Sequence, residues 1–510
     1  MSYVAVGAWY RLSLERLEAR LAMDASIGAV LANGVLSITA TQGDDLVTIE
    51  RRGGRVHVVQ AEEWFDAKAV EQIDIDLGDG NDTVRIKGSG RSLAALGEPT
   101  TITADDGNDE FIGPNGKKLY FGGDDSLLTV AKSGTIGING AAPDWFNKNV
   151  SDTSLRELAR VAAIDQVFSR ADMLDIFGDV TADAVVGANN FDSLKAIVGK
   201  KDFYAGVDYV RALSTYIVDG SHANAHYQGN VLGNLGVDST GAELQLLVNK
   251  WFLGLDHPNT HRAGFTGTLT YKAAAGDLFD GTPNYMQVDQ GVLGDCYFLS
   301  AMTSITTKQP GKIVDMFIDN GDNTWTVEFF NKHKPYFVTI DKKLPVDAQD
   351  EFVFTGDDER YDNPHNVLWP ALAEKAYAQF AEFGFLDTDG PKTNSYAALD
   401  EGYPNLAMGN ILGTKVPAMA KIAPKTATAL VSEFNSERPV VLVTLDSPPS
   451  SQIVSDHVYA MLGYNATTQK FELFNPWGIV HNNSGKPGLL HLTFAEISAN
   501  FGYWGRGPVL

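Results

Sequence analysis

The chain is 510 residues long, which is enough for roughly three domains with large cores. Its composition, 44% hydrophobic and 20% charged, is typical of a folded protein and excludes wholesale disorder. Acidic residues outnumber basic ones 64 to 40, and the net charge of −24 argues against a nucleic-acid or anionic-lipid partner. No apolar run is long enough to predict a transmembrane segment.

The N-terminal segment, residues 1–26, lacks the basic region, apolar stretch and cleavage site of an ordinary signal peptide. Within it, Leu14–Arg20 is similar to short N-terminal phrases of bacterial surface proteins that contain solenoids. That phrase does not fix the localisation. We favour the exterior or the cell surface of a bacterium over the cytoplasm.

Residues 27–145 are predicted to form an all-β, solenoid-like domain. Short runs alternate apolar and polar residues and are broken by Gly, Asn and Asp, as in half-buried strands joined by tight turns. A turn phrase recurs before the strands, most clearly at Gly78–Val84 and Asp106–Phe111, where Asp82 and Asp109 stand 27 positions apart. Such a repeat favours stacked rungs.

The turn phrase resembles the calcium-binding nonapeptide of β-roll proteins, which implies calcium ligands at Asp79, Asp82, Asp106 and Asp109. The copies are not in tandem, however, and the calcium ion of a β-roll is held between neighbouring turns. Turn residues that end the rungs without any metal are therefore the favoured interpretation.

The hydrophobic pattern changes near residue 145 and predicts a helical domain over residues 146–274. It begins with Ser154–Glu157, which has the form of a capping box, and apolar residues follow at helical spacing. Nothing in this stretch indicates chemistry, and its Met and aromatic residues indicate a core. Further helices are predicted at Asp172–Phe177, Phe191–Val198, Tyr209–Ile217 and Leu244–Phe252.

From residue 275 the sequence mixes strands and helices in an α+β pattern. Helices are predicted at Cys296–Ile305 and Leu368–Phe383. Strands are predicted at Trp325–Phe330, Tyr336–Ile340, Val440–Leu445, Val458–Tyr464 and Lys470–Phe474.

Cys296 is the one cysteine of the chain, which excludes an internal disulfide and a multi-cysteine metal site. A lone cysteine is more often a small buried apolar residue than a nucleophile. Here it follows the turn phrase Gly294-Asp295 and precedes a helical run, so it is predicted to lie in the first turn of a helix. That position favours the thiolate, and we expect a lowered thiol pKa.

A base for this thiol is predicted at His457, at the start of an apolar strand. Asn475 ends the returning strand, so a hairpin would bring the two side chains together. The Asn amide would then hold the imidazole in one tautomer while the other ring nitrogen faces Cys296. A structural histidine at the end of a strand is the alternative.

Four phrases resemble the protease core of the calpain family, in the family's order. They cover about residues 275–510: Gln290–Cys296, Trp369–Ala378, Asp456–Tyr459 and Asn475–Gly478. The resemblance implies a papain-like fold with two lobes, residues 275–410 with Cys296 and residues 411–510 with His457 and Asn475.

The same resemblance implies the roles of the site residues. Cys296 is the nucleophile, His457 the general base and acid, and Asn475 the orienting residue. Gln290 donates its side-chain N–H to the oxyanion, together with the backbone N–H of Cys296. Trp477 is the tryptophan of the substrate cleft beside the triad.

Some positions depart from the family pattern. Tyr297 replaces the usual Trp after the nucleophile, and Asp456 the usual Gly before the histidine. Glu374 matches a ligand of the family's first calcium site, but Gln287 and His481 stand where acidic calcium ligands are expected. Calcium is the only cofactor that the sequence suggests, and we expect no organic one.

We therefore expect a multidomain cysteine endopeptidase that acts on protein substrates. The alternative is a non-catalytic calcium-binding surface or matrix protein whose protease-like half is a binding module. Every expected reacting residue is present, which argues against it. A Ser/His/Asp hydrolase is disfavoured because the sequence has no G-x-S-x-G motif.

Overall fold

The computed structural model divides into two compact units, residues 1–207 and 208–510. Among the residues it describes, no helix is long and apolar enough to cross a membrane. Three sequence predictions fall outside the described residues: those for Leu14–Arg20, Asp106 and His481. The described residues are 27–52, 54–87, 99–104, 108–113, 118–122, 126–130, 136–138, 145–163, 167–262, 267–356, 359–479 and 485–509.

The first unit begins with a strand-rich region, as predicted. Its described strands form two sheets, with orders β1-β2-β6-β8-β11-β12 and β10-β9-β7-β3-β4-β5. The strands are β1 (Gly28–Ala32), β2 (Val35–Thr39), β3 (Leu46–Arg52), β4 (Arg55–Val58), β5 (Glu63–Asp66), β6 (Gln72–Asp76), β7 (Thr83–Lys87), β8 (Thr100–Ala104), β9 (Asn108–Ile112), β10 (Lys118–Gly122), β11 (Ser126–Val130) and β12 (Ile136–Ile138).

Parallel pairs occupy the middle of both sheets. β2 pairs with β6 and β6 with β8, while β3 pairs with β7 and β7 with β9. Apolar residues alternate along these strands and meet in one core that includes Leu36, Ile73, Ile102, Val47 and Val84. The period-two pattern of the sequence thus gives each strand one face in this core.

Three aspartates form a ladder beside the parallel strands β3, β7 and β9. Asp82 Oδ1 accepts the backbone N–H of Asp45 at 2.7 Å, and Asp109 Oδ1 accepts that of Asp82 at 3.0 Å. Asp45 in turn accepts the backbone N–H of Thr41 at 2.6 Å. Asp82 and Asp109 are each only 1% exposed, and burial raises the pKa of both. These carboxyl groups therefore link one turn to the next.

Loss of the Asp82 carboxyl should loosen this turn, because Asp45 would keep a buried N–H without an acceptor. An unsatisfied buried donor costs about 1–3 kcal/mol. We expect Asp82→Ala to raise amide hydrogen exchange in peptides that contain Asp45, measured by mass spectrometry on the full chain. Asp76→Ala, which removes an exposed carboxylate from the same region, is the control. Unchanged exchange at Asp45 in Asp82→Ala would contradict the ladder.

Helices follow the strands in the first unit. A capping box begins α3, where the Ser169 hydroxyl accepts the backbone N–H of Asp172. The buried face of α3 includes Met173, Ile176 and Phe177. The helices are α1 (Trp145–Asn149), α2 (Thr153–Ala162), α3 (Arg170–Thr181) and α4 (Ala188–Gly199).

The next two helices, α5 (Asp208–Val218) and α6 (Gly241–Trp251), belong to the second unit. Their aromatic side chains pack on its core, with Tyr216 and Trp251 both against Phe383. The Lys250 ammonium is fully buried and forms ion pairs with Asp256 at 2.5 Å and Glu382 at 2.6 Å. Because removing one partner would leave a buried charge, this triad holds α6 against the segment that contains Glu382.

The part of the second unit that contains Cys296 combines a three-stranded sheet, in the order β16-β17-β18, with a buried helix. Every residue of α9 (Trp369–Phe380) is buried, and its Tyr377 ring stacks on Phe298 at 4.0 Å. The elements are α7 (Cys296–Lys308), α8 (Gly311–Val314), β13 (His226–Tyr227), β14 (Asn230–Val231), β15 (Thr270–Ala273), β16 (Phe317–Asp319), β17 (Thr324–Asn331), β18 (Lys334–Asp341), β19 (Lys343–Val346) and α10 (Pro404–Leu412).

The part that contains His457 is built on a six-stranded sheet in the order β20-β25-β21-β22-β23-β24. Its core includes Leu442, Tyr459, Leu473 and Trp504. The elements are β20 (Ala420–Lys421), α11 (Thr426–Asn435), β21 (Val440–Thr444), β22 (Val458–Asn465), β23 (Lys470–Phe474), β24 (Leu489–Thr493), α12 (Phe494–Asn500) and β25 (Phe501–Arg506). The predicted α+β pattern after residue 275 is present.

Candidate active site

Cys296 is the first residue of α7, as the spacing predicted, and Asp295 precedes the helix. The turn before it is fixed from a distance, because the backbone N–H of Gly294 donates to Asp400 Oδ1 at 2.9 Å. Residues Tyr297–Thr306 of α7 are all buried, so the helix is held firmly. Cys296, a partly exposed residue, stands at its N-terminal end.

Helix α7 packs directly on strand β22. The Ser300 hydroxyl donates to the carbonyl of Val458 at 2.9 Å. The backbone of Val458 also contacts the thiol of Cys296, where it favours the thiolate. Since Val458 follows His457 in the chain, this packing brings the thiol to the strand end that carries the histidine.

His457 and Asn475 are joined by a buried hydrogen bond. The antiparallel pairing of β22 and β23 brings their ends together, and His457 Nε2 lies 2.8 Å from Asn475 Oδ1. The backbone N–H of His457 donates to the Thr444 hydroxyl at 2.8 Å. With Nε2 bonded to the amide, Nδ1 is the ring nitrogen that can exchange a proton with a thiol.

Trp477 covers this pair. Its ring centroid lies 5.2 Å from that of His457, and its backbone N–H donates to Asn475 Oδ1 at 3.2 Å. Asn475 is fully buried and His457 is 4% exposed, so water has little access to the bond between them. A shielded hydrogen bond is stronger than one in water.

Gln290 connects the two halves of the site. Its backbone N–H donates to the carbonyl of Pro476 at 2.8 Å, and its side-chain Nε2 donates to Leu293 O at 2.7 Å. An amide nitrogen carries two N–H groups, so the second can serve a ligand. Within the described residues, Gln290 Oε1 has no hydrogen-bond partner.

One cavity of about 850 Å³ contains these groups. Its lining includes Gln290, Cys296, His457 and Trp477, while Asn475 lies behind the histidine. Tyr297, at the position where the family pattern has Trp, also lines this cavity. Four of the five predicted site residues therefore face one space, and the fifth supports one of them.

The expected lowering of the thiol pKa is wrong for this arrangement. Burial raises the pKa of Cys296 to about 12, and the carboxyl groups of Asp295 and Asp456 add to this rise, while the backbone groups of Val458 and Tyr297 offset only part of it. Burial also lowers the pKa of His457 to about 4. Thiol and imidazole are thus both neutral near physiological pH.

Two positions of the family's first calcium site, Glu374 and Gln287, make hydrogen bonds to other groups of the protein. Within the described part of the chain, no group of three or more His, Cys, Asp or Glu side chains could hold a metal ion. Glu374 accepts the backbone N–H of Thr355 at 3.1 Å, and burial raises its pKa to about 7. The Gln287 amide accepts from Trp369 Nε1 at 2.9 Å and donates to Asp280 O at 3.3 Å. Both side chains are thus already engaged by other groups of the protein.

Some contacts of the site were not predicted. Thr444 holds the backbone of His457, and Asp400 holds the turn before Cys296. Asp295 is buried beside Glu374. Burial and the neighbouring Glu374 carboxyl raise the pKa of Asp295 well above the usual range. Thr444, Asp400 and Asp295 are each distant in sequence from their partners. No local sequence pattern therefore predicts these contacts.

Because the thiol is neutral, the rate at which Cys296 is alkylated should depend on pH. Because a raised pKa leaves little thiolate at neutral pH, alkylation of Cys296 by iodoacetamide should be slow there and should accelerate throughout the alkaline range. Mass spectrometry of the intact chain measures it directly, since the sequence has one cysteine. A rate that is already maximal in mild acid would indicate a preformed thiolate–imidazolium pair and contradict this result.

The second unit matches a known family. The model of the calpain family cysteine proteases matches residues 272–486. A calpain-type cysteine protease, DEK1, of Zea mays is 27% identical over 220 residues, which are 39% of this chain and 9% of that protein. A thiol protease of Porphyromonas gingivalis is 24% identical over 225 residues, 38% of this chain and 44% of that protein.

Human calpain-9 is 26% identical over 214 residues, 38% of this chain and 28% of calpain-9. The chain thus spans less than half the length of each of these relatives. The matched region contains Cys296, His457 and Asn475 with the elements that position them. Residues 272–486 are a calpain-family cysteine protease domain.

Proposed function

We propose that the chain is a cysteine endopeptidase that hydrolyses peptide bonds through an acyl-enzyme on Cys296. The observation that carries this proposal is the buried 2.8 Å bond between His457 and Asn475, at the strand end that packs against the thiol. Nucleophile, base and orienting amide in this order form the thiol-protease version of a catalytic triad.

In the proposed first step, His457 Nδ1 takes the thiol proton as Cys296 attacks the substrate carbonyl. The resulting oxyanion accepts hydrogen bonds from the backbone N–H of Cys296 and from the free side-chain N–H of Gln290. His457 then gives the proton to the leaving amine, and a thioester remains. In the second step His457 deprotonates water, which hydrolyses the thioester.

Asn475 supports both steps without itself reacting. Its Oδ1 holds the Nε2 hydrogen of His457, so Nδ1 is the nitrogen that exchanges protons. It also stabilises the imidazolium that forms when the thiol is deprotonated. Because thiol and imidazole start neutral, proton transfer belongs to the attack rather than preceding it.

We also propose a more detailed architecture for each of the two units. In the second unit, residues 275–410 and 411–510 would form the two lobes of a papain-like core, with the cavity between them. In the first unit, the parallel pairs and the aspartate ladder favour stacked rungs of a solenoid. A location at the surface or exterior of a bacterium stays a prediction.

A non-catalytic binding module is the rival function. A module that only binds has no need to orient an imidazole with a buried amide or to place a thiol at a helix start beside it. Both features support the enzyme over the module.

Cys296→Ala and His457→Ala should each abolish cleavage of casein and of peptide substrates, since neither group can be replaced by water. Asn475→Ala should lose less, because water can partly replace an orienting amide. Thermal melting of each variant checks the fold. Full activity in Cys296→Ala would eliminate the proposed mechanism.

Gln290→Ala should lower kcat by about 10²–10³-fold with little change in KM, the usual effect of losing one oxyanion donor. Steady-state kinetics on a fluorogenic peptide measures both constants. An unchanged kcat would mean that Gln290 only supports the turn before Cys296 through its bond to Leu293.

We propose that calcium does not switch catalysis. Gln287 and Glu374 are engaged by protein donors and do not fit the ion, and no step above needs it. Peptide cleavage should be equal in chelator and in millimolar calcium, for the natural chain and for Glu374→Gln. Strictly calcium-dependent cleavage that is lost in Glu374→Gln would refute this.

Calcium in the first unit stays a separate prediction. Ions held by Asp79, Asp82, Asp106 and Asp109 would raise the melting temperature without changing cleavage. Asp82 and Asp109 each already use one oxygen on a backbone N–H, which reduces what they can offer an ion.

A further inference from the structure

The cavity that contains Cys296 and His457 has an acidic lining. Among the described residues that line it, none is Lys or Arg. Four lining residues carry exposed carboxylates: Asp387, Glu401, Asp446 and Asp456. The neutral His457 adds no compensating charge. Negative potential in a walled cleft attracts cations and repels anions.

Two of these carboxylates, Asp456 and Glu401, line the cavity together with the thiol of Cys296. Asp456 directly precedes His457, and its charge is among the causes that raise the pKa of Cys296. Glu401 belongs to the part that carries the cysteine, and its pKa is raised by Asp389, by burial and by Asp456. Asp456 and Glu401 therefore repel each other across the cavity. A cation between them would relieve this repulsion.

Both carboxylates extend from unusual backbone. Glu401 has φ 56° and Asp456 has φ 48°, in the left-handed region that non-glycine residues seldom adopt. The backbone N–H of Glu401 donates to Gly294 O at 3.1 Å, and that of Asp456 to Leu445 O at 3.3 Å. The backbone positions from which the two side chains extend are thus fixed.

An unpartnered hydroxyl lies in the same wall. Tyr297 is 2% exposed and lines the cavity, and its hydroxyl has no hydrogen-bond partner within the described residues. Its ring packs on Gly402, where an added Cβ would lie 2.6 Å from Cζ, and Gly402 follows Glu401 in the chain. A buried polar group without a partner is costly and points to a ligand that supplies one. The guanidinium of Arg, with five donors, can serve a hydroxyl and carboxylates together.

We propose that Glu401 and Asp456 select substrates with a cationic side chain, Arg or Lys, close to the scissile bond. The inference rests on the proposed peptidase function and names the substrate class of the same cavity. Glu401 and Asp456 would hold the cation through paired charges, with Tyr297 as a neutral contact. Glutamate at the same substrate position would be repelled.

Peptides that differ at one position test this selection. A fluorogenic peptide is synthesised with Arg, Lys, citrulline or Glu at each position near the cleavage site, citrulline being the neutral analogue of Arg. At one position, kcat/KM should be about 5- to 10-fold higher for Arg than for citrulline, as expected for a partly exposed charge pair. The ratio should fall towards one in Glu401→Gln and in Asp456→Asn, and with added salt.

Asp238→Asn is the matched control, because Asp238 is also exposed and has a positive φ of 72° but lies outside the cavity lining. It should keep the ratio of the natural chain. Equal cleavage of Arg and citrulline peptides at every position would overturn the selection and leave the peptidase intact. Failure to cleave any peptide, with Cys296 inert to thiol electrophiles, would overturn the proposed function and this inference with it.

Discussion

The packing of α7 on β22 is the constraint on which the site depends. One contact, from the Ser300 hydroxyl to Val458 O, ties the helix that begins with Cys296 to the strand that follows His457. The same strand pairs with β23, whose end carries Asn475. Thiol, imidazole and amide therefore depend on one helix–sheet interface and one hairpin, and a shift of α7 along β22 would separate the thiol from the imidazole.

Burial at this interface has opposite effects on the pKa values of the thiol and the imidazole. It raises the pKa of Cys296 and lowers that of His457, so the charged pair is disfavoured before substrate binds. The same burial shields the bond between His457 and Asn475 and keeps the amide oriented. A preformed thiolate is thus disfavoured, and the carboxylate of Asp456 adds to the rise of the thiol pKa.

Local patterns were sufficient to predict the parts of the site. The turn phrase before Cys296 predicted a helix start, and the apolar strand after His457 with a returning strand that ends in Asn475 predicted a hairpin. The contacts of Thr444, Asp400 and Lys250 could not be predicted, because each links residues far apart in sequence. The thiol pKa was predicted wrongly for the same reason, since the helix position is visible in the sequence and the depth of burial is not.

The central claim is that Cys296 becomes acylated with His457 as its proton acceptor. The most direct measurement is intact-mass spectrometry of the chain after rapid mixing with a peptide ester and acid quenching. We predict one acyl adduct on Cys296 in the natural chain, a reduced amount in Asn475→Ala and none in His457→Ala. Equal adducts in the natural chain and in His457→Ala, or an adduct at any residue other than Cys296, would contradict the account.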